Sequence, residues 1–494
     1  MRPARLGLRA LGPAATLQAM KRNAGLALIA SLVAGASVAS AADPVPAAGA
    51  PAGPAAAQQL MREVYKELVE TNTTASVGDT YAAAKAMAAR LIAAGYPKAD
   101  VQAFQSGPKR GNLVARLRGT GKRKPLLLVA HIDVVEAKRE DWTTDPFKLV
   151  EKDGYFYGRG TGDDKYMAAA WVVNMIRWKK DSWKPDRDII LALETDEETS
   201  DHAAVGMTWL IKNHKDLIDA EYAINEGGGV GEKDGKPFAN SIQTSEKLFQ
   251  SFWLETRNPG GHSSQPRKDN AIYVLADALA RLEKYEFPVA LNDTTRGFFA
   301  KMGTIEAGQL GQDMKAVAGA KPDPKAIERL TAQPPYNAQL RTTCVATRLE
   351  GGHADNALPQ LARAMINCRI LPGQTVEATQ KQLAQVLAEP KLTISLPSRD
   401  TPSDPSAMNA ELLAAIEKLS PKFWPGIPAV PTMSAGATDG RFLRNVGIPT
   451  FGHSGLAADI FDVRAHGKDE RVAVKSLLEG EQYLYELVKA LAGG

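Results

Sequence analysis

Cysteine is scarce in this chain of 494 residues, and the sequence signatures of several hydrolase classes are missing. Only two cysteines occur, Cys344 and Cys368. Without a third soft ligand they do not indicate a thiolate metal site, and the sequence leaves open whether they form a disulfide. No His-Glu-x-x-His motif occurs, which removes support for a single-zinc protease. The nearest match to the Gly-x-Ser-x-Gly turn of a serine hydrolase, GHSGL at 452–456, lacks the final glycine.

An excess of positive charge is also missing outside the N-terminal segment. The chain carries 60 Lys and Arg and 56 Asp and Glu, which gives a formal net charge of +4 at pH 7. Residues 1–41 hold five of the basic residues and no acidic one, so the remainder has a formal charge of −1. No basic cluster remains there, and the sequence therefore predicts no nucleic-acid partner.

The N-terminal segment has the pattern of a secretory signal. Lys21 and Arg22 precede the apolar run AGLALIASLVAGASVA, which leads into the small-residue sequence ASA at 39–41. The run is shorter than the ~20 apolar residues that a membrane span needs, so cleavage is preferred over a membrane anchor. We expect a signal peptide at 1–41, cleaved near Ala41, and a secreted or periplasmic protein without a stable membrane span.

The rest of the chain is organised into a linker, a larger domain in two parts and an inserted domain. Residues 42–58, rich in Ala, Pro and Gly, are predicted to be a flexible linker. Apolar runs of strand type then alternate with helix-period segments over 59–245 and over 399–494, which predicts an α/β domain with a mostly parallel sheet. Between them, 246–398 follows the order β-α-β-β-α-β of a ferredoxin-like domain. Within it, 288–340 is rich in Gly, Pro and Gln and is expected to be a long loop.

Polar side chains able to bind a metal ion follow the predicted strands of the larger domain. In an open α/β sheet the carboxyl ends of the strands build the site, so these groups are expected to converge. Each alone has an ordinary structural explanation, because acids near a helix start are favoured by the helix dipole without any ligand. Together they comprise two imidazoles and several carboxylates: His131, Asp133, Asp163, Asp164, Glu197, Glu198, Glu226 and His466.

This set of donors indicates a divalent metal site. Imidazole and carboxylate without thiolate suit Zn²⁺ most simply, with Mn²⁺ and Co²⁺ as alternatives. One catalytic zinc ion needs three protein ligands, whereas at least five candidates are present. Five ligands serve two ions if one carboxylate bridges them, which holds the ions ~3.5–4 Å apart. The repulsion between the adjacent acids Asp163 and Asp164 would be reduced if Asp163 faced two cations.

Six motifs carry a resemblance to a known family. In chain order they are HIDVV, GRGTGDDK, ETDEE, NEGG, GGHSSQP and HGKDE. With this order and spacing, roughly residues 56–494 resemble the M20 family of co-catalytic metallopeptidases, which includes carboxypeptidases, dipeptidases and aminoacylase-like enzymes. The resemblance implies that the two-part α/β domain is a catalytic domain and that 246–398 is a lid or dimerisation domain, through which the chain would form a homodimer.

The resemblance also implies a role for each residue of the predicted metal site. Glu197 would be the general base, and a non-proline cis peptide bond, which only a constraining structure retains, would join Asp163 to Asp164. Two ligand sets would share one bridging carboxylate: His131, Asp163 and Glu226 for one ion, and Asp163, Glu198 and His466 for the other.

The residue types agree with these roles. Asp133 lies two residues after His131, on the same face of the strand, where it can accept a hydrogen bond from the ring and orient it. Glu197 and Glu198 are consecutive and point in different directions, so one can bind metal while the other transfers a proton. The expected reaction is attack on the substrate carbonyl by a water that bridges the two ions, with Glu197 removing its proton and returning it to the leaving nitrogen.

The resemblance assigns four further residues to the substrate. His262 in NPGGHSSQP would stabilise the oxyanion, in many members across a dimer made by the inserted domains. Arg369 in NCRILPG and Asn356 in ADNALP would hold the terminal carboxylate of the substrate, for which a guanidinium fork is well suited. Gly436 in SAGATDGRF would belong to the substrate-binding loop. Considered without the family, His262 and Arg369 are an ordinary loop histidine and strand arginine.

Some choices stay open at this level. His453 lies thirteen residues before His466 and competes with it as the last ligand, but the glycine and acid pair that follow favour His466. His202, His214 and His353 are given structural roles. The expected activity is cleavage of a peptide or N-acyl amide bond next to a terminal amino acid, by either a peptidase or an aminoacylase. A non-catalytic binding protein of this fold would lack a ligand or the base, and none of these residues is missing.

Overall fold

The computed structural model describes residues 54–199 and 206–494. The predicted signal peptide, most of the predicted linker and His202 lie outside these residues. Within the described ranges, the helices are α1 (Pro54–Glu70), α2 (Thr80–Ala93), α3 (Lys165–Lys180), α4 (Met207–Ile218), α5 (Ala271–Glu283), α6 (Asp293–Ile305), α7 (Gly308–Ala318), α8 (Pro324–Thr331), α9 (Pro334–Leu340), α10 (Val376–Leu387), α11 (Ala410–Phe423), α12 (Gly440–Asn445) and α13 (Val474–Ala492).

The strands of the same ranges form two principal sheets and two small ones. In chain order they are β1 (Val101–Gly107), β2 (Arg110–Leu117), β3 (Leu126–His131), β4 (Val150–Lys152), β5 (Tyr155–Tyr157), β6 (Ile189–Glu194), β7 (Tyr222–Asn225), β8 (Gly229–Lys233), β9 (Lys236–Glu246), β10 (Leu248–Arg257), β11 (Gly261–His262), β12 (Thr343–Gly351), β13 (Ala357–Leu358), β14 (Leu361–Ile370), β15 (Leu392–Ser395), β16 (Ala429–Ser434), β17 (Thr450–Gly452), β18 (Ala457–Asp459) and β19 (Arg471–Ala473).

The large sheet determines where the site forms. Its strands run in the order β1-β2-β6-β3-β7-β17-β9-β8-β18, and β16 pairs with β9. β3 pairs in parallel with both β6 and β7, and β7 pairs in parallel with β17, so the centre of the sheet is parallel. The predicted α/β fold with a mostly parallel sheet is confirmed. The carboxyl ends of β3, β6 and β7 lie side by side, where such sheets carry their functional groups.

Helices cover both faces of the central strands. Successive residues of β3 alternate between two cores, because side chains alternate across a strand. Leu128 belongs to the core that contains Trp171 of α3 and Leu484 of α13, whereas Leu127 belongs to the core that contains Leu210 of α4. Every residue of β3 is buried. This burial on both faces explains the continuous apolar run that identified the strand in the sequence.

A second sheet forms the inserted domain. Its four antiparallel strands have the order β12-β14-β10-β15. Leu275 of α5 and Leu383 of α10 share a core with Phe252 and Ile366 of the sheet. The chain order β10-α5-β12-β14-α10-β15 is the predicted β-α-β-β-α-β order. β12 is an edge strand, and most of its residues are exposed.

The prediction of a long loop at 288–340 is wrong. These residues form helices α6, α7, α8 and α9. Asn292 makes a capping box with Thr295 at the start of α6, and Asp323 caps α8 ahead of Pro324. The apolar faces of the four helices pack with Val430 of β16 in a small core of their own. The helices are therefore held by tertiary packing, which overrides their local composition.

The glycines that suggested a loop have another explanation. Gly303 of α6 and Gly311 of α7 lie at a close helix contact. A Cβ added to Gly311 would come 2.0 Å from the carbonyl oxygen of Glu306, and one added to Gly303 would come 3.0 Å from the carbonyl oxygen of Gly311. Small residues are required there so that the two helix backbones can approach each other.

The predicted linker also ends earlier than expected. α1 begins at Pro54, so the last five residues of 42–58 are helical. Proline suits the first turn of a helix, where its missing N–H costs no hydrogen bond, and the alanines that follow have high helix propensity. Ala57 is already buried in the core. Composition indicated flexibility, but the segment forms the first turn of a packed helix.

Two further expectations concern disulfides and membranes. Cys344 and Cys368, directly opposite each other on β12 and β14, form a disulfide. The bond ties the edge strand to the inserted sheet. Among the helices of the described ranges, none is both long enough and apolar enough to span a bilayer.

Candidate metal centre

The five predicted ligands come from separate elements whose ends meet at one edge of the large sheet. His131 is the last residue of β3, Glu226 follows β7 directly, and Glu198 lies four residues after β6. Asp163 lies just before α3, and His466 lies between β18 and β19. Because β3, β6 and β7 are parallel neighbours, their carboxyl ends bring the first three ligands to the same place.

Asp163 contacts both histidines, one with each carboxylate oxygen. Its Oδ1 lies 3.0 Å from Nε2 of His131, and its Oδ2 lies 3.1 Å from Nε2 of His466. The same nitrogen of His466 lies 3.0 Å from Oε1 of Glu198. A carboxylate whose two oxygens face two different rings has the arrangement of a bridging ligand. The peptide bond between Asp163 and Asp164 is cis, as the resemblance implied.

Glu226 lies on the His131 side of this cluster. Its Oε2 is 4.0 Å from Nε2 of His131. Donor atoms gather in two groups, each spanning at most 4.8 Å: His131 with Asp163 and Glu198, and His131 with Glu197 and Glu226. The structure thus brings together the predicted ligands and the predicted base. It also places Glu197 within coordinating reach of the ion that His131 and Glu226 would bind.

Asp133 organises the segment that carries the base. Its carboxylate oxygens accept the backbone N–H groups of Glu197, at 3.2 Å, and Glu198, at 3.1 Å. Nδ1 of His131 lies 3.1 Å from the backbone oxygen of Asp133 and 3.5 Å from its carboxylate. The carboxylate therefore contacts both the histidine ring and the segment after β6, and it fixes the spacing between them.

The acids around the two histidines draw positive charge to the cluster. Burial lowers the pKa of His131, but hydrogen bonds with Asp133 and Asp163 outweigh burial and raise the pKa well above its usual value. Hydrogen bonds with Asp163 and Glu198 raise the pKa of His466 to about 10. Burial opposes ionisation of Asp163, yet its bonds to the two histidines hold its pKa below the usual range.

Three further acids lie beside these groups: Asp164 is buried, and Glu197 and Glu226 are half-buried. Burial raises the pKa of Asp164, of Glu197 and of Glu226, and the neighbouring carboxylates add to the effect. Asp164 is 3% exposed, and its Oδ2 has no hydrogen-bond partner among the described residues. An excess of buried carboxylates over imidazoles is costly unless cations are present. The donor set therefore fits divalent ions.

Two residues that the sequence did not single out for this role join the loop before α3, which carries Asp163, to the loop before β19, which carries His466. We call these two segments the ligand loops. Glu470 accepts hydrogen bonds from the backbone N–H groups of Gly160, Gly162 and Asp163 at 3.1, 2.8 and 3.2 Å. It also pairs with Nη1 of Arg159 at 2.6 Å, and both side chains are at most 3% exposed. Arg159 in turn donates to the backbone oxygen of His466 at 3.3 Å. The pair thus links the loop of Asp163 to the loop of His466.

The Arg159–Glu470 pair contributes geometry more than stability. Burial raises the pKa of Glu470 despite its backbone donors and the charge of Arg159. The cost of removing the carboxylate from water thus exceeds what its partners return. The sequence signal for this role was the acid that follows His466 in HGKDE, but charge alone did not distinguish Glu470 from its neighbour Asp469.

A buried acid pair lies behind the predicted base. Glu194, the last residue of β6, is 1% exposed, and Asp439, just before α12, is 4% exposed. Burial raises the pKa of Glu194, and the charge and hydrogen bond of Asp439 raise it further. This contact connects β6 to the segment that carries Gly436. The sequence gave no reason to single out either acid.

His262 and Asn356 lie together but apart from the ligand cluster. His262 pairs with Ala357 in the ribbon of β11 and β13, and the carbonyl of Asn356 accepts the N–H of Ser263 at 2.9 Å. Both residues are exposed. Nδ1 of His262 lies 2.7 Å from Oγ of Ser264. No hydrogen bond or ion pair of the described residues joins His262 to the metal ligands.

Arg369 and Gly436 are brought next to each other. Arg369 donates to the carbonyl of Ala435 at 3.4 Å, and its guanidinium lies 4.7 Å from the ring centre of Phe249. No carboxylate of the described residues is within ion-pair distance of Arg369. Burial, together with the nearby charge of Arg369, lowers the pKa of Lys247 to about 7. Positive charge without an acidic partner therefore lies between the inserted domain and the Gly436 segment.

Two other histidines, His453 and His214, have structural surroundings. His453 is fully buried, with Nδ1 3.0 Å from the carbonyl of Ser241 and Nε2 2.8 Å from the hydroxyl of Tyr483. Burial lowers its pKa to about 4. The ring of His214 stacks on that of Phe104. His453 thus has its own partners and does not compete with His466 as a ligand.

The described chain matches known proteins over most of its length. Residues 127–490 match the model of peptidase family M20/M25/M40. Human N-fatty-acyl-amino acid synthase/hydrolase PM20D1 is 30% identical over 385 residues, which is 74% of this chain and 74% of that protein. The mouse protein aminoacylase-1 is 26% identical over 399 residues, 76% of this chain and 82% of that protein.

Solved structures share the fold. The M20 family metallo-carboxypeptidase Sso-CP2 of Sulfolobus solfataricus superposes with a TM-score of 0.67 at 18% identity, covering 87% of this chain and 99% of that one. Together with the geometry of the cluster, the family match makes the chain a hydrolase with a site for divalent metal ions. The resemblance found in the motifs is confirmed, and the chain belongs to peptidase family M20/M25/M40, as an M20 metallopeptidase.

Proposed function

We propose that this chain is a two-ion amidohydrolase that cleaves the amide bond between an acyl group and an amino acid with a free carboxylate. The observation that carries the proposal is Asp163, whose two oxygens each face a different histidine. We assign His131, Asp163 and Glu226 to one ion and Asp163, Glu198 and His466 to the other. Zn²⁺ is the proposed metal, because the donors are imidazole and carboxylate at a small, closed cluster.

The proposed chemistry divides between the ions and Glu197. Bound divalent ions would polarise the substrate carbonyl and lower the pKa of a water molecule. Glu197 takes one proton from the attacking water, and the oxygen of that water bonds to the acyl carbon. The carbon–nitrogen bond then breaks, and Glu197 returns the proton to the leaving nitrogen. The products are a carboxylic acid and a free amino acid, which accounts for every atom of substrate and water.

Glu197 has the environment that such a base needs. Burial raises its pKa, so that it holds a proton more readily than an exposed carboxylate. Its backbone N–H is fixed by Asp133. Glu197 also lies near His131 and Glu226, and a metal ligand in that position would be an alternative role. A variant of Glu197 distinguishes the two roles by its metal content. If Glu197 is only the base, the variant should still bind both ions; if it is a ligand, the variant should lose an ion.

The proposed anchor for the substrate carboxylate is Arg369. Its guanidinium has no carboxylate partner among the described residues and lies beside the Gly436 segment. A fork of N–H donors matches a carboxylate in geometry and charge. The same anchor would accept a dipeptide, and a carboxypeptidase is the second candidate function. The acyl substrate is favoured because the human relative is named for N-fatty-acyl-amino acids.

We further propose a homodimer through the inserted domain. β12 is an edge strand whose outer side pairs with no strand of the described residues. It exposes Val345 by 62% and Leu349 by 70%, and α5 beside it exposes Tyr273 by 58%. Exposed apolar edges favour pairing with a second chain. His262 lies in the same domain without a contact to the metal ligands of its own chain. A partner subunit is thus the proposed source of the oxyanion-stabilising histidine. Export by the predicted signal peptide at 1–41 remains part of this proposal.

The test compares free and blocked carboxylates. Purified chain from Ala42 onward is assayed with an N-acyl amino acid and with its C-terminal amide, and the dipeptide of the same amino acid is included. We expect the free acid to be preferred, and Arg369→Ala to lower kcat/KM for the free acid roughly 10- to 100-fold, the value of one or two charge-assisted hydrogen bonds. Arg363→Ala, in the same strand, is the matched control and should keep the preference. Equal losses on acid and amide would contradict the anchor.

A further inference from the structure

Three large apolar side chains are exposed in one short segment. Ile460 is 41% exposed, Phe461 is 81% exposed and Val463 is 74% exposed. We call these three residues the apolar loop. Of the nine large apolar side chains that are exposed in the described residues, no other three fall within four consecutive positions. Exposed apolar groups that cluster in this way mark a contact surface.

The apolar loop leads directly into the metal centre. It follows β18, and His466 comes five residues after Phe461. Five residues span at most about 18 Å when fully extended. Two turns shorten this distance, since the N–H of Asp462 bonds the carbonyl of Asp459 at 3.1 Å and the N–H of Gly467 bonds that of Arg464 at 2.9 Å. The apolar side chains therefore lie within the reach of a substrate held at the metals.

Hydrogen bonds and ion pairs hold the loop in place. Oδ1 of Asp459 accepts the N–H of Phe461 at 2.8 Å. Asp462 accepts from Arg464 at 2.6 Å and from Arg471 at 2.7 Å. The charge of Asp462 is thus taken up by two arginines, and Phe461 is presented on a fixed turn.

The apolar surface continues from the loop to strands β8 and β9. Gly231 of β8 lies between Ile460 and Phe238: a Cβ there would come 3.4 Å from Cγ2 of Ile460 and 2.8 Å from Cζ of Phe238. The missing side chain lets these two apolar residues approach the same point. Phe238 is itself only partly buried. Apolar side chains thus extend from Phe238 of β9, across Gly231, to the loop that leads to His466.

We propose that the apolar loop binds the acyl chain of the substrate and makes the enzyme selective for long acyl groups. This inference rests on the proposed function. The loop and His466 are at most ~18 Å apart. An extended acyl chain of about fourteen carbons, at about 1.3 Å per carbon, is long enough to cover that distance. A second copy of the protein is a poorer occupant, because three side chains expose far less than the ~800 Å² that each partner of a stable interface buries. A membrane is a poorer occupant as well, because the arginines beside the loop are already paired with Asp462.

The experiment varies chain length and loop together. The metal-loaded chain from Ala42 onward is assayed with N-acetyl, N-hexanoyl, N-decanoyl and N-tetradecanoyl forms of one amino acid, below their micelle concentrations. The variant is Phe461→Ser with Val463→Ser. The matched control is Val77→Ser, which changes an apolar residue between α1 and α2 that is 64% exposed. Binding of the same series is also measured by calorimetry on Glu197→Gln, so that affinity is seen without turnover.

We expect kcat/KM of the parent to rise at least tenfold from acetyl to tetradecanoyl, because each methylene removed from water changes affinity by up to roughly fourfold. The double variant should lose at least tenfold on tetradecanoyl and less than twofold on acetyl, and Val77→Ser should match the parent. An equal loss on all chains would mean that the loop only supports His466, and it would overturn the inference. The inference would also be overturned if the double variant kept the parent's dependence on acyl-chain length and instead lost a dimer in sedimentation or lost binding to neutral lipid vesicles.

Failure of the proposed function has a different signature. If no N-acyl amino acid is hydrolysed while binding to Glu197→Gln still strengthens with chain length and weakens in the loop variant, the proposed reaction is wrong and the acyl site stands. If all chain lengths are hydrolysed equally well by parent and double variant, the reaction stands and the acyl site is refuted.

Discussion

Replacing Glu470 by glutamine tests whether the two ligand loops are held together by one buried side chain. Glutamine has the same shape but no charge, and one of its two oxygens is replaced by an N–H₂ group. In the parent, Glu470 accepts from Arg159 and from the backbone of Gly160, Gly162 and Asp163. The new N–H₂ group would face some of these donors, and Arg159 would lose its counter-charge.

The magnitude follows from burial. Arg159 is 3% exposed and Glu470 is 2% exposed, so water cannot replace the lost carboxylate. Removing one partner of a buried ion pair costs about 3–5 kcal/mol, because the other charge stays buried without compensation. We expect the free energy of unfolding of Glu470→Gln to fall by that amount. Because Asp163 and His466 lose their common support, we also expect metal affinity to fall about 10- to 100-fold, as for other groups that orient metal ligands.

The assay measures both quantities on the same protein. Urea unfolding gives the change in stability, and competition with a chromophoric chelator gives the affinity for each divalent ion. Asp469→Asn is the matched control, because Asp469 is the adjacent acid and has a positive φ of 53° that asparagine tolerates. Its carboxylate accepts hydrogen bonds from Thr143, not from the loop of Asp163. It should change metal affinity less than twofold. Parent-like metal affinity in folded Glu470→Gln would refute the proposed coupling of the loops.

Three further outcomes are expected. The disulfide closes a loop with a sequence separation of 24. In non-reducing buffer, Cys344→Ser should therefore have a free energy of unfolding about 3 kcal/mol below that of the parent in urea melts. In reducing buffer, the variant and the parent should be equally stable. His453 has a pKa of about 4 in the folded chain and about 6.5 when unfolded, so the unfolded state binds more protons between these values. The contribution of His453 to the free energy of unfolding is complete above about pH 6.5 and falls by about 3 kcal/mol as the pH drops to 4. In His453→Gln, this part of the pH dependence of stability should be absent. Glu197→Gln should lower kcat by at least 100-fold with unchanged metal content by mass spectrometry, whereas loss of an ion would make Glu197 a ligand.

The site was largely predictable because it depends on periodicity and on strand ends. The apolar run before His131 predicted a buried strand, and β3 ends at that residue. The run before Glu197 did the same for β6. Parallel strands share the direction in which they end, so separate motifs in the sequence converge without any knowledge of loop paths. The preference for His466 over His453 rested on neighbouring residues, and the geometry agrees, because His453 is bonded to Tyr483 instead.

The missed features depend on contacts that sequence spacing does not contain. Arg159 and Glu470 are more than 300 positions apart, and only tertiary structure shows that they meet. The helices at 288–340 were missed because Gly303 and Gly311 are ordinary signs of a loop, and their reason for being there is the neighbouring helix. A helix start at Pro54 was missed because proline and alanine serve a linker and a first helical turn equally well.

The central claim is that metal ions held by this cluster and the base Glu197 together cleave an amide bond. The most direct test is hydrolysis of a panel of N-acyl amino acids and dipeptides by the chain from Ala42 onward, before chelation, after chelation and after Zn²⁺ is restored. The claim predicts activity that is lost with the metal, regained with Zn²⁺ and absent at every stage in Glu197→Gln. Amide cleavage that survives complete removal of metal, or a fully loaded parent that cleaves nothing on the panel, would contradict it.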